Sequence, residues 1–112
     1  MPRPRIPRKV WCRPGFTHFR PAGSAVTSLE EVVLTVDEFE AIRLKDYEGL
    51  DQIGAAKKMG ISQPTFQRIY ESARKKVADA IVNGKAIRIE GGPYRMMGRG
   101  RGRRKIFRRG RF

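Results

Sequence analysis

Residues 57–69 read KKMGISQPTFQRI, and this short stretch concentrates polar side chains around one proline. The residues of interest are Ser62, Gln63, Pro64, Thr65, Gln67 and Arg68. A Gln side chain can form two hydrogen bonds with the edge of adenine, and an Arg side chain can do the same with guanine. Each such pair gives about 1 to 3 kcal/mol of discrimination against a wrong base. These residue types favour the reading of DNA bases, provided that they project from the exposed end of a helix.

Pro64 decides where such a helix would begin. Proline is tolerated in the first helical turn, because the N–H that it lacks would have no partner there. It disfavours helical geometry at the preceding residue, Gln63, while Ser62 is a good N-cap. The sequence therefore predicts a helix that starts near Gln63, with the proline ring at an end where a thymine methyl group is a plausible neighbour.

Three helices are expected to position this segment. Thr35 and Glu38 form a capping-box pattern, which predicts a first helix over residues 36–46. A second helix should follow Asp51 and stop at Gly60. The third should end at Asn83 and Gly84. It carries an apolar stripe at helical spacing, formed by Phe66, Ile69, Tyr70, Ala73, Val77 and Ile81.

The second and third helices have the features of a helix-turn-helix. They are separated by a short turn that contains Gly60, and Ala56 is small where the helices would cross. In such a motif the second helix lies in the major groove and the first crosses the backbone. Basic residues on both helices are then expected to contact phosphates: Lys57, Lys58, Arg74, Lys75 and Lys76. The alternative is an ordinary helical hairpin whose polar face meets only water.

Strand patterns and composition divide the chain into three parts. Residues 29–35 and 85–92 are predicted to form strands that pair with each other. We expect a mainly α fold, with a three-helix core and a small β element, flanked by basic arms. The predicted parts are a basic, Pro-rich arm (1–28), the helix-turn-helix DNA-binding domain (29–92) and a disordered Arg/Gly-rich tail (93–112).

Most of the positive charge lies in the two arms. The formal net charge is +14, residues 1–22 carry six Lys or Arg, and residues 93–112 carry nine, without an acid in either segment. The middle carries ten basic residues against all eleven acids. This distribution predicts binding of a polyanion, most simply nucleic acid, and the arms lack the apolar helical stripe of a membrane-surface segment. No apolar stretch is long enough to span a bilayer, and no signal-peptide region follows the basic start. Cys12 is the only cysteine, so it cannot form an internal disulfide, which agrees with a reducing compartment. We therefore expect a cytoplasmic protein.

The motifs also resemble a known family. Residues 34–92, with MGISQPTFQRI and SARKKVADA, resemble a small prokaryotic family of uncharacterised, predicted DNA-binding proteins. The helix-turn-helix of that family is similar to region four of sigma factors, and MPRPRIPRKV and FRPAG extend the resemblance to residues 1–92. The resemblance implies a DNA-binding fold and transcriptional regulation, without an established operator, ligand or enzymatic activity.

Two departures from the family pattern stand out. Gly54 replaces the Glu that would complete a capping box from Asp51, and the Arg/Gly tail lies outside the resemblance. The chain has no room for promoter-melting domains, so we do not expect a complete sigma factor.

Other functions are less well supported by the residues present. The only His lies in the N-terminal arm, and no Gly-rich phosphate loop follows a strand, so we expect neither an enzyme nor a cofactor. Cys12 and His18 are residues of types that bind metals, but a closed zinc site usually has four ligands. A metal- or redox-responsive regulator that uses these two residues is therefore the minor hypothesis. The stronger alternative is an RNA- or ribosome-associated protein in which the Arg/Gly tail dominates binding.

A homodimer is expected for a protein that reads DNA sequence, because one helix-turn-helix offers limited contact area.

Overall fold

Three helices, one π-helical turn and five short strands account for the regular structure of the described residues. The computed structural model describes residues 7–23 and 30–97. In chain order the elements are β1 (Arg8–Val10), β2 (His18–Phe19), β3 (Glu31–Leu34), α1 (Val36–Ile42), a π-helical turn (Arg43–Tyr47), α2 (Gln52–Met59), α3 (Gln63–Asn83), β4 (Ala86–Ile89) and β5 (Tyr94–Met96). The prediction of three helices with a small β element is confirmed.

The first helix begins where the capping pattern places it and ends in a wider turn. Thr35 is the N-cap, and its N–H donates to the Glu38 carboxylate at 2.9 Å. From Arg43 onward the helix widens, because the N–H of Glu48 donates to the carbonyl of Arg43, five residues back, at 2.8 Å. The predicted helix over residues 36–46 is therefore nearly right in extent, but its last part is a π-helical turn.

The strands form two small sheets. β4 is the central strand of one sheet, parallel to β3 on one side and antiparallel to β2 on the other. The predicted pairing of the strands around residues 32–34 and 86–89 is confirmed, with Val32 opposite Ile87 and Leu34 opposite Ile89. All three helices lie in the connection between β3 and β4.

The second sheet joins a part of each predicted arm. β1 pairs in parallel with β5, and Val10 of β1 is completely buried. Residues 94–96 were expected in a disordered tail, but they form β5, because the free hydrogen-bonding edge of β1 pairs with them and Met96 packs on the core. Residues 1–6, 24–29 and 98–112, which include most of the Arg/Gly tail, lie outside the described residues.

Two apolar clusters hold the helices and sheets together. The first lies between the helices and contains Ala41, Leu44, Ala55, Ala56, Met59, Phe66, Ile69 and Tyr70. The second joins α1 and α3 to both sheets and contains Val10, Leu34, Val36, Ala73 and Ile89.

The expectation that Ile81 faces inward is wrong. The Ile81 side chain is 74% exposed, whereas Ala80 is buried. The buried positions at this end of α3 follow Ala73, half-buried Val77 and Ala80, a spacing of four and then three residues. Ile81 therefore falls beyond the edge of the buried face.

Gly92 permits the close approach of the chain to the start of α1. Its φ is +96°, and a Cβ there would lie 2.6 Å from Asp37 Oδ1 and 2.7 Å from Thr35 Cβ. The carbonyl of the preceding Gly91 accepts a hydrogen bond from the N–H of Val36 at 2.9 Å. The passage from β4 to β5 therefore fits against the helix N-terminus only without a side chain.

Gly92→Ala is expected to destabilise the fold by clearly more than about 1 kcal/mol, because it combines a left-handed backbone with a steric overlap. The measurement is the free energy of unfolding in urea. Gly91→Ala is the matched control, since Gly91 has φ +78° but open space around its Cβ position. Equal losses for the two variants would contradict the close contact at Gly92.

Candidate nucleic-acid interface

The start of α2 depends on Asp51 and Gly54. The Asp51 carboxylate caps the helix by accepting the N–H of Gly54 at 2.7 Å. A Cβ at Gly54 would lie 3.1 Å from the same carboxylate oxygen. Although Gly54 stands where a Glu would complete a capping box, the helix still begins here, because the side chain of Asp51 caps it directly.

The turn between α2 and α3 contains the two signals expected from the sequence. Gly60 ends α2 with φ +68°, and the N–H of Ile61 donates back to the carbonyl of Ala56 at 3.1 Å. Ser62 then caps α3, because its hydroxyl accepts the N–H of Thr65 at 3.3 Å. The predicted start near Gln63 is confirmed, and Pro64 lies in the first turn.

One face of α3 is fixed in the core. Phe66 is completely buried in the cluster that includes Met59 of α2, and its ring stacks on that of Tyr70 with 5.7 Å between centroids. The Tyr70 hydroxyl donates to Asp46 at 2.7 Å, which ties α3 to the π-helical turn. Burial first, and then this hydrogen bond, raise the pKa of Tyr70 above its ordinary value. Both rings are core residues, as their position on the apolar stripe indicated.

The opposite face of the same helix end carries the six residues selected from the sequence. Their side chains are exposed at four positions and half-buried at Thr65 and Gln67. Their side-chain hydrogen bonds are weak or local: Ser62 donates to Thr65 at 2.9 Å, Gln63 to Gln52 at 3.4 Å, Gln67 to Glu71 at 2.6 Å and Arg68 to Thr65 at 3.5 Å. These side chains therefore lie within the first two turns of one helix, and their polar groups can replace these hydrogen bonds with bonds to a ligand.

The five predicted phosphate contacts have different surroundings. Lys57, Lys58 and Lys75 are exposed. Arg74 is also exposed, with its guanidinium 5.4 Å from the Tyr70 ring centroid and 3.8 Å from the Asp46 carboxylate. Lys76 is used inside the fold, because its ammonium donates to Glu38 and to the carbonyl of Val33, each at 2.8 Å.

Glu38 is the centre of a buried polar group that joins α1 to α3. It accepts hydrogen bonds from Lys76 at 2.8 Å, Ser72 at 2.6 Å and the N–H of Thr35 at 2.9 Å. Burial alone would raise the pKa of Glu38, but these three donors outweigh it, so the pKa lies below its ordinary value. Glu38 is therefore a charged structural residue as well as a helix cap.

A second buried carboxylate joins the N-terminal segment to the helices. Glu40 is completely buried, and its two oxygens accept two hydrogen bonds from Arg43, each at 2.8 Å. It also accepts the main-chain N–H of Trp11 at 2.9 Å. Burial alone would lower the pKa of Arg43, but its hydrogen bonds and charge contact with Glu40 outweigh this effect, so the pKa of Arg43 lies above its ordinary value. The sequence analysis did not anticipate this pair, although Glu and Arg three residues apart on a helix are an available signal.

Cys12 and His18 show no metal-binding arrangement with other ligand residues. Cys12 is buried, and its thiol lies 3.8 Å from the carbonyl of Arg13. His18 is half-exposed, with its Nε2 3.7 Å from the Glu31 carboxylate. Within residues 7–23 and 30–97, no group of three or more His, Cys, Asp or Glu residues could hold a metal ion. In the same part of the chain, no helix is both long and apolar enough to cross a membrane.

The fold and surface define a small, strongly basic protein of three helices and two short sheets, with a polar helix end beside several cations. A family model described as "Protein of unknown function DUF134" matches residues 1–97. The chain belongs to this family of uncharacterised proteins. The family resemblance seen in the sequence is confirmed at this level.

Curated relatives share the name UPF0251 protein. One from Moorella thermoacetica is 62% identical over 98 residues, covering 88% of this chain and 66% of the relative, slightly less than two thirds of its length. Others are 60% identical over 96 residues in Thermoanaerobacter pseudethanolicus (86% and 81% coverage) and 58% identical over 98 residues in Caldanaerobacter subterraneus (88% and 83%). No solved structure matches the chain.

Replacing Glu40 should lower the free energy of unfolding far more than replacing Glu48, the exposed second partner of Arg43. Glu40→Ala leaves Arg43 buried without its main partner, which is expected to cost about 3 to 5 kcal/mol of unfolding free energy. Glu48 contacts the same guanidinium at 3.1 Å but is 39% exposed, so Glu48→Ala should cost about 1 kcal/mol or less. Urea denaturation of both variants measures the difference, and similar costs would refute the central role of Glu40.

The lowered pKa of Glu38 predicts a stability loss at acidic pH. The contribution of its carboxylate is complete above its ordinary pKa of 4.5 and disappears as the pH falls through its lower folded-state value. Lys76→Met removes one donor, so it should reduce stability at neutral pH and shift the acidic loss to higher pH. The measurement is the urea midpoint from neutral to acidic pH. Lys75→Met, which changes the adjacent exposed lysine, is the control; matching profiles for the two variants would contradict the assignment.

Proposed function

We propose that the chain is a sequence-specific, double-stranded DNA-binding protein that acts in the cytoplasm as a transcriptional regulator. In this proposal α2 and α3 form a helix-turn-helix similar to region four of sigma factors. The N-terminal end of α3 enters the major groove, where Ser62, Gln63, Pro64, Thr65, Gln67 and Arg68 face the bases.

The observation that carries this proposal is the division of α3 into two faces. Phe66, Ile69 and Tyr70 hold one face in the core, while Gln63 and Arg68, among others, leave the opposite face of the same two turns polar and accessible. A reading helix needs this combination, because its side chains must be presented from a fixed backbone. An ordinary solvent-facing hairpin would not need bidentate donors at these positions.

The geometry of the turn supports the helix-turn-helix assignment. Only Gly60, Ile61 and Ser62 separate α2 from α3. The left-handed Gly60 and the small, buried Ala56 allow the two helices to pack closely. The first helix can then cross the DNA backbone while the second lies in the groove.

The exposed cations define the proposed phosphate contacts. Lys57, Lys58, Arg74 and Lys75 are available to the DNA backbone, and they would hold the register of the protein without reading sequence. Lys76 is removed from this set, because its ammonium is bound to Glu38. We expect a homodimer that reads two half-sites, since a single motif contacts a limited length of DNA.

Selection of bound sites from random duplex DNA should enrich one motif. Gln67→Ala and Arg68→Ala should each reduce the preference for that motif by about 1 to 3 kcal/mol, because each removes a paired contact with one base. The measurement is the binding free energy for the selected duplex and for a scrambled one. Lys75→Met is the control, because loss of a phosphate contact should weaken both duplexes equally.

Two results would contradict this function. One is uniform recovery of the random pool, which would describe a nonspecific polyanion binder. The other is competition in which folded RNA displaces the selected duplex at equal concentration, which would favour the RNA- or ribosome-associated alternative.

A further inference from the structure

Trp11 lies against the C-terminal end of α2. Its indole N–H donates to the carbonyl of Lys58 at 2.8 Å, and the ammonium of Lys58 lies 5.3 Å from the centroid of its ring. Its main-chain N–H is bound to the buried Glu40 carboxylate. The segment around Trp11 is thus fixed to two helices at once.

Lys9 lies over the turn that leads into α3. A Cβ at Gly60 would be 3.3 Å from both Cδ and Cε of Lys9. The backbone of Lys9 is held in β1, between the pairing with Arg95 and the buried side chain of Val10. Because the ammonium nitrogen is bonded to Cε, the charge of Lys9 lies beside the same turn.

Three cations therefore surround one helix end without acidic partners. Within residues 7–23 and 30–97, Lys9, Lys57 and Lys58 form no ion pair with a carboxylate. By contrast, several other cations of the described residues do so, among them Arg43, Arg74, Lys76, Lys85 and Arg88. The C-terminus of an eight-residue helix offers roughly half a negative charge, which offsets only part of the repulsion among three ammonium groups. An external anion would relieve the rest.

We propose that Lys9, Lys57 and Lys58 form a preformed binding site for the phosphate backbone of duplex DNA. This inference rests on the proposed function and deepens it. The N-terminal β1–Trp11 segment is then a fixed clamp that holds one DNA strand beside the start of α3. Trp11 is a positioning residue, because it fixes Lys58 and the chain that carries Lys9 without touching the DNA in this arrangement.

A phosphate backbone is the partner that this arrangement fits. The three cations flank the turn before Ser62, and a DNA strand at that position would run alongside the groove entered by α3. Lysine binds phosphate as a point charge without base preference, so the site contributes affinity and register while α3 supplies the sequence preference.

The test compares the full chain with Lys9→Met, which keeps most of the apolar stem and removes the charge. Affinity is measured over a salt series for the selected duplex and for a scrambled duplex. Each phosphate contact contributes a slope of about 0.9 in log affinity against log salt. We expect Lys9→Met to reduce the slope by about that amount for both duplexes, with unchanged thermal stability, and Lys9→Arg to restore it.

Arg20→Met is the matched control, because Arg20 is an exposed cation that directly follows β2 of the other sheet. It should leave the slope unchanged. An unchanged slope for Lys9→Met, or an equal decrease for Arg20→Met, would overturn the clamp.

The outcomes also separate this inference from the proposed function. Sequence-selective binding with an unchanged slope for Lys9→Met overturns the clamp alone. Binding without sequence preference, but with the smaller slope for Lys9→Met, supports the clamp and contradicts the sequence-specific function. Absence of duplex binding by the unchanged protein overturns both.

Discussion

The fold depends most directly on the buried Glu40 carboxylate. A charged group without exposure to water is tolerated only when its hydrogen-bonding capacity is used, and Glu40 meets this requirement with two bonds from Arg43 and one from the N–H of Trp11. The interaction joins α1, the π-helical turn and the N-terminal segment. Since Trp11 also bonds to Lys58, the orientation of α2 relative to the N-terminal strand depends on the same carboxylate.

The distribution of ion pairs connects this core with the proposed function. Acidic side chains bind cations where elements join, as Glu38 binds Lys76 between α1 and α3 and Asp79 binds Lys85 at the end of α3. Among the described residues, Lys9, Lys57 and Lys58 near the α2–α3 turn are exposed and form no ion pair with a carboxylate. The internal pairs thus stabilise the junctions between elements, while these three cations stay accessible to a polyanion, as the proposed function requires.

Local signals in the sequence were enough to predict the helices and the end of α3 that carries the candidate residues. Ser62, Asp51 and Gly60 act within one helical turn of their own positions, so their effect can be read from neighbouring residues. The stripe of α3 also predicted its buried face, except at Ile81, because the buried face passes through Ala80 in that turn.

The pairing of β3 with β4 was predictable from the alternation of β4, but other contacts between distant segments were not. β1 and β5 are three residues each and are separated by more than 80 positions, so no alternation indicates their pairing. Acidic residues are common in the first turn of a helix, so nothing in the stretch DEFE marks Glu40 as the partner of Trp11. Lys76 likewise looks no different in sequence from exposed Lys75. The contact of Lys9 with Gly60 joins residues about fifty positions apart in the same way, so local patterns do not reveal it.

The central claim is that the start of α3 and the adjoining cations face duplex DNA. The most direct measurement is a titration of the isotopically labelled protein with a selected duplex, followed through its amide NMR signals. The account predicts that the largest changes cluster at residues 9–11 and 57–68. Largest changes at the strands of residues 18–19, 31–34 and 86–89, or at the exposed end of α3 near Ile81, would contradict it.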